Sequence, residues 1–370
     1  MKPIPLRSVT LGVALVLSAL APSAPALSFV FNDTSSNGGM TTVQRNAFQT
    51  AADYWSRTLT DPVTVYIDIA FSPLGPQILG GSTANFTTAS YASIRSHLIS
   101  DARSALDAVA VAHLQAGPAL TFLATQGDLS SRLDHDGSTN NTLIGLTTAN
   151  AKAMGIDPGT SALTPDANLT FATGYAGDFV YTRAGGTPSN KIDFITVAEH
   201  EIGHALGFSS GIDDIDSCAG PNNTCGLPNT VDRFEHDWWY QPLDLFRYSG
   251  VGTADVRVGG NPYFSVDGGS TALERFSTGV VHGNAYQASH FGTQNLNLMR
   301  PYIGRGESYD ATATDLAAYD AIGWNVAAVP EPQTCALLLA GLGVVGFATR
   351  RRAAVGRASQ APGKFKSNAS

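Results

Sequence analysis

The chain is expected to fold as an α+β protein in two lobes, and three observations point there. Apolar residues at helical spacing interleave with short alternating runs through residues 42–182. A His-Glu-Ile-Gly-His run at residues 200–204 lies on an amphipathic helix that stops at Gly207. Beyond it, residues 208–325 read mostly as loops and carry one further clear helix. Residues 27–207 therefore form an upper lobe of sheet and helices, and 208–325 a loop-rich lower lobe with a long insertion.

Taken in order, residues 42–59 form an amphipathic helix with Phe48, Ala52, Tyr54 and Trp55 among its apolar positions. Residues 63–71 alternate as a strand, and 91–114 predict one long helix. Residues 169–172 and 178–182 read as strands leading into the motif helix. Gly185-Gly186-Thr187-Pro188 is a loop, Asn190 is the expected N-cap, and Asp193 follows near the positive helix end. Ile195, Ile202 and Leu206 recur at helical spacing and face a core, which leaves the histidines for a cleft. Gly203 inside the helix costs about 1 kcal/mol against Ala, which implies close packing there. Residues 313–322 make a closing helix, capped by Thr312 with Asp315 and stopped by Gly323.

His200 and His204 are four residues apart, so on a helix both imidazoles project from one face and can share one zinc ion. Glu201 sits beside such a metal without binding it, placed to take a proton from a water the metal polarises. With eight His and six Glu in 370 residues, H-E-x-x-H arises by chance about 0.003 times. A catalytic zinc usually has three protein ligands plus water. Where the compact pattern H-E-x-x-H-x-x-G-x-x-H has its third His, this chain has Ser210, a poor ligand. Asp213, Asp214, Glu235, His236, Glu274, His282 and His290 are the downstream candidates.

Residues 289–301 read Ser-His-Phe-Gly-Thr-Gln-Asn-Leu-Asn-Leu-Met-Arg-Pro. Together with His-Glu-x-x-His-x-x-Gly, this resembles the leishmanolysin-type metzincin zinc metallopeptidases. In those, a long insertion precedes the third His, and a Leu-Met-x-Pro turn places its Met beneath the metal. The resemblance implies His290 as third ligand and Met299, nine residues later, as the apolar floor. Residues 242–249, 263–269 and 315–324 resemble bacterial PEP-CTERM-anchored metalloproteases. The implied fold is metzincin-like, with a twisted sheet and the zinc helix in the upper lobe, and the implied activity is zinc-dependent endopeptidase action. Tyr302 lies three residues after Met299, one farther than the Tyr ligand of metzincins with Met-x-Tyr, and is left out of the site.

Both ends carry targeting signals. Residues 1–26 read as a signal peptide, with Lys2 and Arg7 before an apolar run and Ala24-Pro25-Ala26 as a cleavage site. Residues 326–352 resemble a PEP-CTERM segment: Val329-Pro330-Glu331-Pro332, a short apolar transmembrane stretch and Arg350-Arg351-Arg352. The resemblance implies transient inner-membrane retention, an exosortase-type partner, and release to the cell surface or extracellular matrix. Residues 353–370 form a disordered tail. Of the 22 Lys and Arg, two lie in 1–26 and six in 332–370, leaving 14 against 30 Asp and Glu. Such a surface argues against nucleic acid as a partner.

Cys218 and Cys225 bracket six residues, and export favours a disulfide between them. No cysteine lies between Leu27 and the motif, which excludes a cysteine-switch propeptide. Calcium is the weaker cofactor candidate. Asp213-Asp214-Ile215-Asp216 and Asp134-His135-Asp136-Gly137 could hold a hard cation but read better as solvated turns. The expected function is hydrolysis of peptide bonds, with a protein or peptide as substrate, one zinc ion and Glu201 as general base. The alternatives are a non-catalytic surface or matrix protein that keeps the fold, and a zinc hydrolase acting on another bond.

Overall fold

Period-two alternation in Thr64–Ser72 buries Val65, Ile67, Ile69 and Phe71 on one face, and this strand organises the sheet of the computed structural model. Residues 27–35, 39–221, 234–235 and 240–327 are described. The chain separates into two units, Met1–Val326 and Ala327–Ser370. All the named strands and helices belong to the first.

Strand β1 (Ser28–Asp33) leads to helix α1 (Thr42–Thr58), then to β2 (Thr64–Ser72), β3 (Gly80–Ala84) and β4 (Phe86–Ser90). Helices α2 (Tyr91–Asp101) and α3 (Ala105–His113) come next, then β5 (Phe122–Thr125), β6 (Ser131–Asp134), the single turn α4 (Thr139–Thr142), β7 (Leu143–Thr147) and α5 (Thr148–Ala153). Strand β8 (Ala167–Ala172) returns to the main sheet, whose order is β1-β2-β8-β3. β1, β2 and β8 run parallel, and β3 closes the edge antiparallel to β8, with Gly80 opposite Phe171. The short parallel pair β9 (Phe179–Val180) and β10 (Ile192–Asp193) delivers the chain into α6 (Phe194–Ala205).

α1 starts with a reciprocal cap between Thr41 and Gln44 and buries Ala47, Phe48, Ala51, Ala52 and Trp55, one helical stripe. Its Trp55 Nε1–H donates to the Glu199 carbonyl at 2.9 Å, tying α1 to α6. Phe171 meets Phe48, Phe71 and Phe194, so sheet and helices share one aromatic core.

Several expectations need correction. The long helix over 91–114 is two helices, because Ser104 and Asp107 form a capping box that starts α3 afresh. The Asp107 carboxylate accepts from the Arg103 and Ser104 N–H groups, a local alternative to helix continuation. The N-cap of α6 is Asp193, not Asn190: its carboxylate accepts from the Ile195 and Thr196 N–H groups. The strand expected at 178–182 keeps only Phe179 and Val180.

The second half is also more regular than loops. Asp213–Asp216 belong to helix α7 (Ile212–Cys218) rather than a solvated turn. β11 (Arg247–Gly250), β12 (Thr253–Ala254), β13 (Tyr263–Phe264) and β14 (Glu274–Arg275) form a second sheet in the order β12-β11-β13-β14. Asp134 is buried at the end of β6, where Arg132 bridges it to Asp136 and Glu235, so it is no solvated turn either. The closing helix α8 (Ala313–Ala321) forms as expected, with Thr312 and Asp315 in a capping box and Gly323 at φ +96°. Trp324 then donates its Nε1–H to the Leu206 carbonyl at 2.7 Å, fixing the end of α6.

Candidate metal centre

Four residues of helix carry His200 and His204 through a little more than one turn, so both rings leave α6 on the same side. Their Nε2 atoms are 3.0 Å apart. His290 arrives from a loop of the second half, its Nε2 3.2 Å from that of His204 and 3.2 Å from that of His200. Three ring nitrogens thus converge on one point.

The far side of each ring decides the tautomer. His200 Nδ1 lies 2.8 Å from the Leu298 carbonyl, His204 Nδ1 2.7 Å from the Phe208 carbonyl, and His290 Nδ1 3.3 Å from the Gln287 carbonyl. A carbonyl only accepts, so each Nδ1 carries the proton and each Nε2 turns a lone pair inward. Burial lowers the pKa of His200 to about 4 and of His204 to about 3, and drives that of His290 well below its usual value, so all three are neutral at pH 7. Three unprotonated nitrogens at this spacing repel one another unless a cation lies between them. A tetrahedral zinc with bonds of about 2.0–2.1 Å sets its ligand nitrogens about 3.3–3.4 Å apart. The donor set therefore fits zinc.

The loop bearing His290 is held on both flanks. Asp213 on α7 accepts from the Ala288 N–H at 2.6 Å and the Ser289 N–H at 3.0 Å, and also from the Ser289 hydroxyl. The buried Arg247 guanidinium donates to the Ser277 carbonyl at 2.7 Å and the Ala288 carbonyl at 3.4 Å. Downstream, the Asp315 carboxylate accepts from the Leu298 and Met299 N–H groups while it also caps α8. One acid therefore fixes both the closing helix and the carbonyl that orients His200.

Met299 is fully buried beneath the motif helix, and Gly203 makes room for it. A Cβ at Gly203 would stand 2.7 Å from the Met299 sulfur and closer still to the Tyr319 hydroxyl. Gly207 has φ +111° and sits against Asn150, 2.9 Å from where a Cβ would be.

Glu201 is 6 % exposed, and burial pushes its carboxyl up to about 8. It lines a cleft of about 690 Å³ with the three histidines, bounded on one side by β3. Gly80 of β3 lies so close that a Cβ there would be 3.0 Å from Glu201 Oε1. Behind α6, Arg183 bridges Asp193, Glu199 and Asp310. Burial still raises Glu199 to about 8 against the pull of that guanidinium.

Three of the other ligand candidates are engaged elsewhere. Glu235 is with Arg132, Glu274 accepts from the Asn295 and Asn297 amides, and His282 Nε2 lies 3.2 Å from the Ala219 carbonyl. Asp214 is exposed at the cleft. His236 lies outside the described residues. Cys218 is disulfide-bonded, and Cys225 lies outside the described residues. Sequence reasoning missed the supporting acids. Asp213 stood out only as a ligand or turn residue, since its partners are backbone groups 75 and 76 positions away.

Comparison with known proteins finds one family, the PEP-CTERM protein-sorting motif, over residues 328–352. No curated protein and no solved structure matches the chain. Residues 328–352 lie outside the described residues, as does the expected signal peptide at 1–26. Among the described residues, no helix is long and apolar enough to cross a membrane. The motif marks the chain for export and membrane-anchored sorting to the cell surface, and exosortase sorting machinery is its partner.

Proposed function

We propose that this chain is an exported zinc-dependent endopeptidase with a metzincin-like, two-lobed architecture. The observation that carries the reading is the convergence of three neutral imidazole nitrogens in an open cleft, with a carboxyl group beside them. His200, His204 and His290 would hold the metal. Zinc bound there supplies Lewis acidity, which makes water a nucleophile at neutral pH and steadies charge on the scissile carbonyl.

The remaining chemistry belongs to the protein. Glu201 takes the proton that the attacking water loses and gives it to the departing amine. β3 supports a peptide over other substrates: it is the terminal strand of the main sheet, and Gly80–Ala84 line the cleft. An extended chain can pair with such an edge through main-chain hydrogen bonds, which brings its carbonyls past the histidines without reading side chains. Gly80 keeps that edge close to Glu201. The buried Met299, packed against Gly203 of the motif helix, would close the site from below. Residues 1–26 would direct export as a signal peptide.

The test is cleavage of casein by the purified protein, with and without a chelator and after zinc is restored. Cleavage that a chelator abolishes and zinc restores supports the reading. A protein that binds one zinc yet cleaves nothing is instead a surface protein with this fold.

A further inference from the structure

Arg300 comes directly after Met299, and it forms part of the wall of the cleft that holds the histidines. The residue is 6 % exposed. Its Nη1 donates to the Tyr309 hydroxyl at 3.2 Å, and its Nε has no hydrogen-bond partner. The planar group lies 4.3 Å from the centre of the Tyr302 ring and 5.4 Å from that of Tyr309. Among the described residues no carboxylate comes within ion-pair distance of it. The Tyr309 hydroxyl in turn donates to Glu307, whose carboxylate feels the Arg300 charge without an ion-pair contact.

Two partly buried arginines of the same molecule have acids in contact, and the buried Arg247 spends its donors on the Ser277 and Ala288 carbonyls. Arg132 meets Asp134, Asp136 and Glu235, and Arg183 meets Asp193, Glu199 and Asp310. A buried guanidinium keeps its charge at any ordinary pH and offers five N–H donors in a fixed fork. With Glu307 nearby but no carboxylate in contact it is only partly compensated, because stacking on rings does not replace the lost water. In a chain of net charge −8, a cation in the cleft wall with no carboxylate in contact is an invitation to an acid from outside.

We propose that Arg300 is a specificity-determining residue of the cleft, which selects substrates presenting a carboxylate: an acidic side chain or a free peptide C-terminus. The selection rests on the peptidase reading of the same cleft. Tyr302 and Tyr309 hold the fork in one plane, so a carboxylate can accept two parallel N–H bonds there, as a neutral amide cannot. Arg300 takes no part in bond cleavage.

The experiment measures peptide binding by the full-length Glu201→Gln protein. One uncharged peptide sequence is scanned with Glu against Gln at each position, with free and amidated C-termini. At one Glu position, or at the free C-terminus, the carboxylate form should bind about tenfold to a hundredfold more tightly than its neutral counterpart. Which arm responds identifies the source of the carboxylate. Adding Arg300→Gln should erase that difference while neutral peptides keep their affinity within about twofold, and Arg300→Lys should restore part of it. Equal binding of acidic and neutral peptides to the Arg300-containing protein overturns the proposal, whatever the variants do. A preference that survives Arg300→Gln overturns it too, as does an equal loss for acidic and neutral peptides, which marks a purely structural arginine. If the wild type cleaves no casein, the peptidase reading fails separately, and this binding preference is still measured.

Discussion

Glu201 has no hydrogen bond to a neighbour among the described residues, so burial alone raises its carboxyl. A divalent cation bound beside it would favour the charged form, which the proposed general-base role requires. Glu201→Ala should retain zinc, because the residue is no ligand, and should lower casein cleavage by at least about 100-fold. Wild-type rates in that variant would remove Glu201 from the mechanism. Zinc analysis tests the ligands: His290→Ala should lose the metal, while His282→Ala, whose ring faces the Ala219 carbonyl, should keep about one per chain. Gly203→Ala drives a methyl group into Met299 and Tyr319 and should destabilise the fold by about 1–3 kcal/mol, read from denaturant melts. The close packing at Gly203 was legible as a glycine where a helix disfavours one. The two residues responsible were not, since Met299 and Tyr319 are 96 and 116 positions away.

Helices were legible where their signals are local, and strands where their alternation is strong. The box Thr312/Asp315 and the stripe of α1 each rest on local spacing, so sequence alone exposes them. β3 was invisible because Gly-Gly-Ser-Thr-Ala has no strand preference; only pairing with β8 makes it a strand. The support of His290 was hidden for the same reason: α7 acts on it through Asp213 and backbone N–H groups of another element. Asp213→Ala should therefore leave zinc stoichiometry near one at saturation yet weaken zinc affinity by about tenfold to a hundredfold, measured by chelator competition. α3 and α8 meet where the Ser104 hydroxyl donates to Asp320 at 2.5 Å. Burial, with Asp107 and Asp101 nearby, raises Asp320 to about 6 in the fold. Its folded pKa exceeds the unfolded value, so its contribution is fully present below about 4 and is lost as pH rises through 6. Asp320→Asn, neutral throughout, should melt above wild type at pH 7.5 and converge with it by about pH 4.5.

Across the whole molecule, the sorting motif at 328–352 begins directly after the last described residue, Ala327. Truncation before Val329 should convert a membrane-retained precursor into a released protein, and identical fractionation of the two chains would contradict that sorting role. The C-terminal sorting motif was legible because such a signal is linear. The joining of the two halves around the histidines was carried in the sequence only by His290 and the Leu-Met-x-Pro turn after it. That joining sets an order of events during synthesis. His290, the Asp315 that holds Leu298 and Met299, and the Trp324 that secures Leu206 all emerge from the ribosome after two thirds of the chain has been made. Until then the chain has His200 and His204 without the third ring nitrogen that meets them. The third histidine and its supports are complete only at Trp324, a few residues before the sorting signal itself appears.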